Sequence, residues 1–203
     1  MNNRLITILS RAFLALSAAF VALVLLSWLL AAARPDLMVR SLLAPEGIRW
    51  FFRNLSHIIA SQLLGWILLW SMAFGCISDS RLLCAVRNIR SLSSREQFAL
   101  MMVVVELIVS VLLLFLLTLV PHAILLSSTG GLFPSPFTDS VIPLLAIIFI
   151  VMGITYGVFC QSLPSLGDVY KAMYSGVRLS LPLLPLYIIF VLFVNSLIYV
   201  FTL

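Results

Sequence analysis

Five apolar stretches, each close to the length that crosses a bilayer, fill most of the 203 residues. They run from Thr7 to Ala33, Ile58 to Ile77, Phe98 to Val120, Val141 to Phe159 and Leu181 to Leu203, and a membrane-spanning helix needs roughly 20 mostly apolar residues. With a mean hydropathy of +1.21 and 9% charged residues, the chain has too little polar surface to enclose a water-soluble core. The expected fold is all-α: an integral membrane helical bundle of about five transmembrane helices with a short interfacial amphipathic helix.

The net charge of +5 matters less than where it lies. With the N-terminus inside, the inner segments hold Arg4, Arg11, Arg81, Arg87, Arg90, Arg95, Lys171 and Arg178. The outer segments hold Arg34, Arg40, Arg49 and Arg53, all between the first two spans, and none from Pro121 to Ser140. The positive-inside rule then places the N-terminus in the cytoplasm of a multi-pass inner (plasma) membrane protein. The first run, although it ends in Ala31-Ala32-Ala33, is much longer than a signal h-region of about 7 to 15 residues, so it reads as an uncleaved span. Cys76, Cys84 and Cys160 form no metal-ligand spacing, and disulfides are not expected at the cytoplasmic ends where they fall.

Between the first two spans, Ala44-Pro45-Glu46-Gly47 breaks the chain and starts a short helix. Ile48, Phe51, Phe52 and Leu55 recur at helical spacing on one face, while Arg49, Arg53, Asn54 and Ser56 take the other. With Trp50 at the border, the pattern suits a helix lying in the bilayer interface, anchored by Trp50, Arg49 and Arg53, and bending into the next span. By composition the chain divides into residues 1–80 (two spans and the interfacial helix), a basic cytoplasmic connector at 81–97, and residues 98–203 with three further spans. Ser127-Ser128-Thr129-Gly130-Gly131 lacks the Lys and helix start of a phosphate loop and reads as a turn.

Glu106 is the one acid well inside a span. Its ionised form costs about 2.5 to 3.5 kcal/mol at mid-bilayer on insertion scales, so it is a candidate coupling group for a proton or ion. The blander reading is a protonated carboxyl hydrogen-bonded to Gln62, Ser110 or Asn195. Small residues mark candidate packing faces: Ala12, Ala15, Ala19 and Ala22 on the first span, Ser61 and Gly65 on the second, Gly153 and Gly157 on the fourth. His57 and His122 fall near one membrane face and raise a remote alternative, a bis-His haem or quinone redox module. No catalytic constellation, metal-ligand spacing or cofactor motif is present, and neither an enzyme nor a nucleic-acid partner is expected.

The run Ser41-Leu42-Leu43-Ala44-Pro45-Glu46-Gly47-Ile48-Arg49-Trp50-Phe51-Phe52-Arg53-Asn54, then Leu64-Gly65 and Ala73-Phe74-Gly75-Cys76-Ile77-Ser78-Asp79, resembles the second-span region of the p-aminobenzoyl-glutamate transporter (AbgT) family. A second block, from Leu92-Ser93-Ser94-Arg95-Glu96-Gln97-Phe98 through Leu132-Phe133-Pro134-Ser135-Pro136-Phe137 and Val141-Ile142-Pro143-Leu144 to Tyr156-Gly157, is similar to a later part of the same family. The resemblance implies a reduced member. A full one carries two further spans and a re-entrant hairpin between the positions of Leu83 and Leu92, and a second hairpin and its last spans beyond Leu203. The retained spans would correspond to the inner scaffold that mediates dimer contacts, with the substrate site between the hairpins lost. The last span also departs, reading Phe193-Val194-Asn195-Ser196-Leu197 where the family tends to place Trp after Asn in a broken helix.

Transporters hold substrate near the midplane between repeated halves with interrupted helices, and no such pair of halves is evident in the sequence. The expected function is a non-transporting scaffold or accessory subunit, in the lipid bilayer as a homo-oligomer (a dimer) or beside a larger membrane protein. The alternative is a minimal oligomeric transporter of p-aminobenzoyl-glutamate-like or drug-like organic anions.

Overall fold

A chain this apolar must satisfy its backbone hydrogen bonds within each segment, because lipid offers no partners. Helices result throughout. A computed structural model describes residues 3–33, 39–89, 92–119 and 136–201, and among these there are eight helices and no strand: α1 (Asn3–Ala33), α2 (Pro45–Ile59), α3 (Gln62–Asp79), α4 (Leu82–Arg87), α5 (Ser94–Leu119), α6 (Pro136–Phe159), α7 (Leu166–Ser180) and α8 (Leu183–Phe201). Five stretches are long and apolar enough to cross a membrane: Ile6–Ala33, Pro45–Asp79, Ser94–Leu116, Ser140–Phe159 and Leu183–Phe201. This is a multi-pass membrane protein with the five-span, all-helical architecture expected of its sequence.

The described helices form two compact units, Met1–Leu64 with Leu181–Leu203, and Gly65–Ser180. In the first, α1 and α2 both pack on α8. The loop before α2 is tied down by polar contacts: the Arg40 amide donates to the Val200 carbonyl (3.2 Å), and the Leu42 amide donates to the buried Ser27 hydroxyl (3.3 Å). Gly47 lies so close to the Ser41 and Leu42 backbone that a Cβ would stand 2.7 Å from the Leu42 Cα. That crowding explains a glycine at the start of an otherwise regular helix. Trp50 stacks on Tyr199 with ring centroids 4.1 Å apart, and Arg49 and Arg53 are exposed.

The bend foreseen between the interfacial helix and the second span is a break at Ala60 and Ser61. Carbonyls at a helix end need outside partners, and here the Tyr187 hydroxyl donates to the Ile59 carbonyl (2.7 Å) while lying 2.7 Å from the Ser61 hydroxyl. The span itself begins at Gln62 rather than Ile58.

The second unit holds most of α3, then α4 to α7. One cluster joins Leu82 and Ala85 of α4, Ala99 and Val103 of α5, and Met152 and Tyr156 of α6; another joins Ala73 and Cys76 of α3, Ile150 of α6, Leu163 and Ala172 of α7. α3 and α7 approach closely at their glycines. A Cβ on Gly75 would overlap the Ala172 carbonyl oxygen, and one on Gly176 would overlap the Ser71 carbonyl oxygen, so the two backbones meet with no side chain between them. The stretch after the fourth span is thus a helix of its own. Its buried face is Ala172, Gly176 and Ser180, and its exposed residues include Leu166, Tyr170, Tyr174 and Lys171.

Candidate functional site

Where α3, α4, α5 and α6 end in the second unit, a polar cavity of about 560 Å³ is lined by Asp79, Arg81, Cys84, Asn88, Glu96, Tyr156, Cys160, Gln161 and Ser162 among others. Arg81 joins α3 to α4, and Gln161 follows α6. Both are in the left-handed region, at φ 61° and 60°, as the two non-glycine residues with positive φ among those described. That region is disfavoured for residues with a Cβ, and such backbone persists where surrounding structure over-determines it.

The surroundings are specific. The Gln161 side-chain oxygen accepts from the Arg95 guanidinium (2.7 Å), and the Ser162 hydroxyl donates to the Ser80 and Gly157 carbonyls (both 3.3 Å). Asp79 accepts from the Ser175 hydroxyl of α7 (2.7 Å). Glu96 accepts the Ser93 amide (2.7 Å), which caps the start of α5. The cavity therefore presents a guanidinium, two carboxylates, amides and thiols from elements far apart in sequence. It suits a small polar or zwitterionic solute better than an apolar one. Sequence reasoning missed it, since its only signal was polar residues gathered at Ser78–Asn88 and Cys160–Ser165.

Glu106 lies on α5 in this unit. It is half-buried, and its Oε2 is buried with no hydrogen-bond partner among the described residues. The blander expectation of a carboxyl bonded to Gln62, Ser110 or Asn195 is not met at that oxygen. Asn195 instead donates to the Val191 carbonyl of its own helix (2.9 Å).

The other candidates are scattered. Ala12, Ala15, Ala19 and Ala22 are all exposed on α1, and Gly65 has nothing within 4 Å of where a Cβ would be. Gly153 lies against Cys76, 3.0 Å from a would-be Cβ, and Gly157 is covered by the Leu163 side chain. The glycines at the α3–α7 crossing, Gly75 and Gly176, were not among the candidates. His57 is exposed on α2, while His122 lies outside the described residues, as do Ser127 to Gly131. Cys76, Cys84 and Cys160 are free thiols.

Residues 50–203 match the model of the AbgT putative transporter family. The chain belongs to that family. The AbgT match takes in the polar cavity, Glu106 and the Gly75–Gly176 crossing, and it leaves out α1 and the first turn of α2. It begins at Trp50, so Ser41 to Arg49 of the first resembling run lie outside it. No curated protein and no solved structure is similar enough to count as a match.

Proposed function

We propose that this AbgT-family protein is a non-catalytic scaffold or accessory subunit of the inner membrane, acting as a homo-oligomer, a dimer first of all, or beside a larger membrane protein. Its N-terminus is cytoplasmic in this reading, following the charge distribution of the loops. The observation that carries it is the face of α1. Ala12, Ala15, Ala19 and Ala22 are uncovered, whereas α1 already packs on α8. Small residues on a lipid-embedded helix favour close approach of another helix, which in this reading a second copy or a partner supplies.

A second reading rests on Glu106. A carboxylate oxygen buried in a span without a partner among the described residues is a candidate for binding a proton or a cation, and supports a minimal oligomeric transporter of p-aminobenzoyl-glutamate-like or drug-like organic anions. Purified protein in liposomes separates the two. The scaffold reading expects no flux of p-aminobenzoyl-glutamate or sulfonamides, and near-normal folding of Glu106→Gln, which keeps the shape but cannot ionise. Robust flux that disappears in Glu106→Gln would overturn the scaffold and establish the transporter. A visible absorption band in the same preparation would revive the haem alternative.

A further inference from the structure

In the first unit a cavity of about 220 Å³ opens between α1, α8 and the start of α2. Its walls are Phe20, Val24, Leu42, Ile48, Phe51 and Phe52, and the one polar side chain lining it is Ser196. Ser196 is fully buried, and its hydroxyl has no hydrogen-bond partner among the described residues. Other helical serines bond back to their own helix, as Ser17 does to the Phe13 carbonyl and Ser71 to the Leu68 carbonyl. Ser27 does so and also takes the Leu42 amide. A buried hydroxyl without a partner is destabilising, so the site is complete only with a molecule that supplies one.

The size and setting narrow that molecule. An engineered apolar cavity of about 150 Å³ admits benzene, so this one takes a short run of hydrocarbon and not a whole lipid. Ile48 and Phe52 at its rim are exposed, which in a bilayer opens the cavity to lipid. Ser196 lies one turn before Val200, about 6 Å along the helix, and the Val200 carbonyl accepts the Arg40 amide. The Arg40 guanidinium sits 5.9 Å from the Tyr199 ring centroid, and Tyr199 stacks on Trp50. Aromatic and basic side chains gathered in this way mark the headgroup level. One turn deeper is where the ester carbonyls of a phospholipid lie.

We propose that the cavity holds one acyl chain of an anionic glycerophospholipid, with the Ser196 hydroxyl donating to that chain's ester carbonyl and the phosphate drawn to Arg40 and Arg49. The lining runs from Phe20 to Ile48 ahead of the residues that match the AbgT family and takes Phe51, Phe52 and Ser196 from within them, and the proposal does not rest on the scaffold reading.

The test is native mass spectrometry of the full chain, delipidated in mild detergent and exposed to phosphatidylglycerol or phosphatidylethanolamine. Wild type should retain one phosphatidylglycerol per chain and prefer it to phosphatidylethanolamine. Val24→Trp, which fills the cavity, should abolish retention, and Ser196→Ala should weaken it about fivefold, the worth of one hydrogen bond. Arg40→Gln should remove the preference for the anionic lipid. If Val24→Trp unfolds, Ile48→Trp fills the space from the α2 side, and a thermal unfolding scan of each variant reports its folding. A wild type that retains no phospholipid, a filled cavity that binds as well as the open one, or a retained molecule with no acyl ester would each overturn the proposal.

Discussion

Gly176 and Gly65 stand at opposite extremes of crowding, and the same substitution should act on them in opposite ways. At Gly176 an added methyl meets the Ser71 carbonyl oxygen, which belongs to the backbone and cannot rotate aside. Gly176→Ala should therefore cost about 1 to 3 kcal/mol, the usual range for overpacking. Gly65→Ala meets nothing within 4 Å and gains up to about 1 kcal/mol of helix propensity. Thermal unfolding in detergent reads both; equal effects would mean the α3–α7 crossing is looser than described. Asp168 offers a pH handle outside the spans. The Ser165 hydroxyl, 2.7 Å away, and then Lys171 at 3.3 Å hold its carboxyl below the ordinary value. A depressed carboxyl stabilises the fold above its unfolded value of about 3.9, and that support is lost as pH falls through the lower folded value. NMR shifts of residues 166–170 should move toward coil only below about pH 4, and Asp168→Asn should remove the dependence. At this scale the sequence revealed little. Ala172, Gly176 and Ser180 have the spacing of a packing face, but Lys171 just before them and Arg178 among them read simply as inside charge.

Helix order carries more than helix content. α1, α2 and α3 run as a spanning helix, a 15-residue amphipathic helix and another spanning helix; α6, α7 and α8 repeat that order, again with a 15-residue amphipathic helix in the middle. No pair of repeated halves is evident from the sequence alone. If all five apolar stretches cross, the first and fourth do so in opposite senses, and α2 and α7 should fall on opposite sides of the membrane. Single cysteines at Ser56 and Tyr170, in a background without the native three, should label from opposite sides of intact cells, Ser56 from outside. Reversed labelling would overturn the N-in orientation, and labelling from one side would overturn the five-span count. The five spans were legible because length and apolarity alone define them, and α2 was legible because its face contains no glycine inside it. α7 was hidden by Gly167 and Gly176 and by a polar content typical of loops. The polar cavity was hidden for a different reason: its walls come from four helix ends, and only folding makes them neighbours.

For the molecule as a whole, assembly is the open dimension. A dimer in mild detergent should weaken at least tenfold when Ala15 and Ala19 are both replaced by leucine, since the added bulk blocks close backbone approach. Sedimentation of both forms over a range of concentrations checks this, and a strictly monomeric wild type would count against both functional readings. The make-up of the first unit also reaches back to biosynthesis. α1 and α2 leave the ribosome early, but α8, the helix on which both pack, follows only after the whole of Gly65–Ser180. At about 5 to 20 residues per second, that is a wait of roughly 6 to 23 seconds. Throughout it, Trp50 is in the bilayer without Tyr199, on which it stacks in the final fold, and the second unit is free to close first. Lipid or the membrane insertion machinery would cover the α8-facing sides of α1 and α2 until the last span arrives.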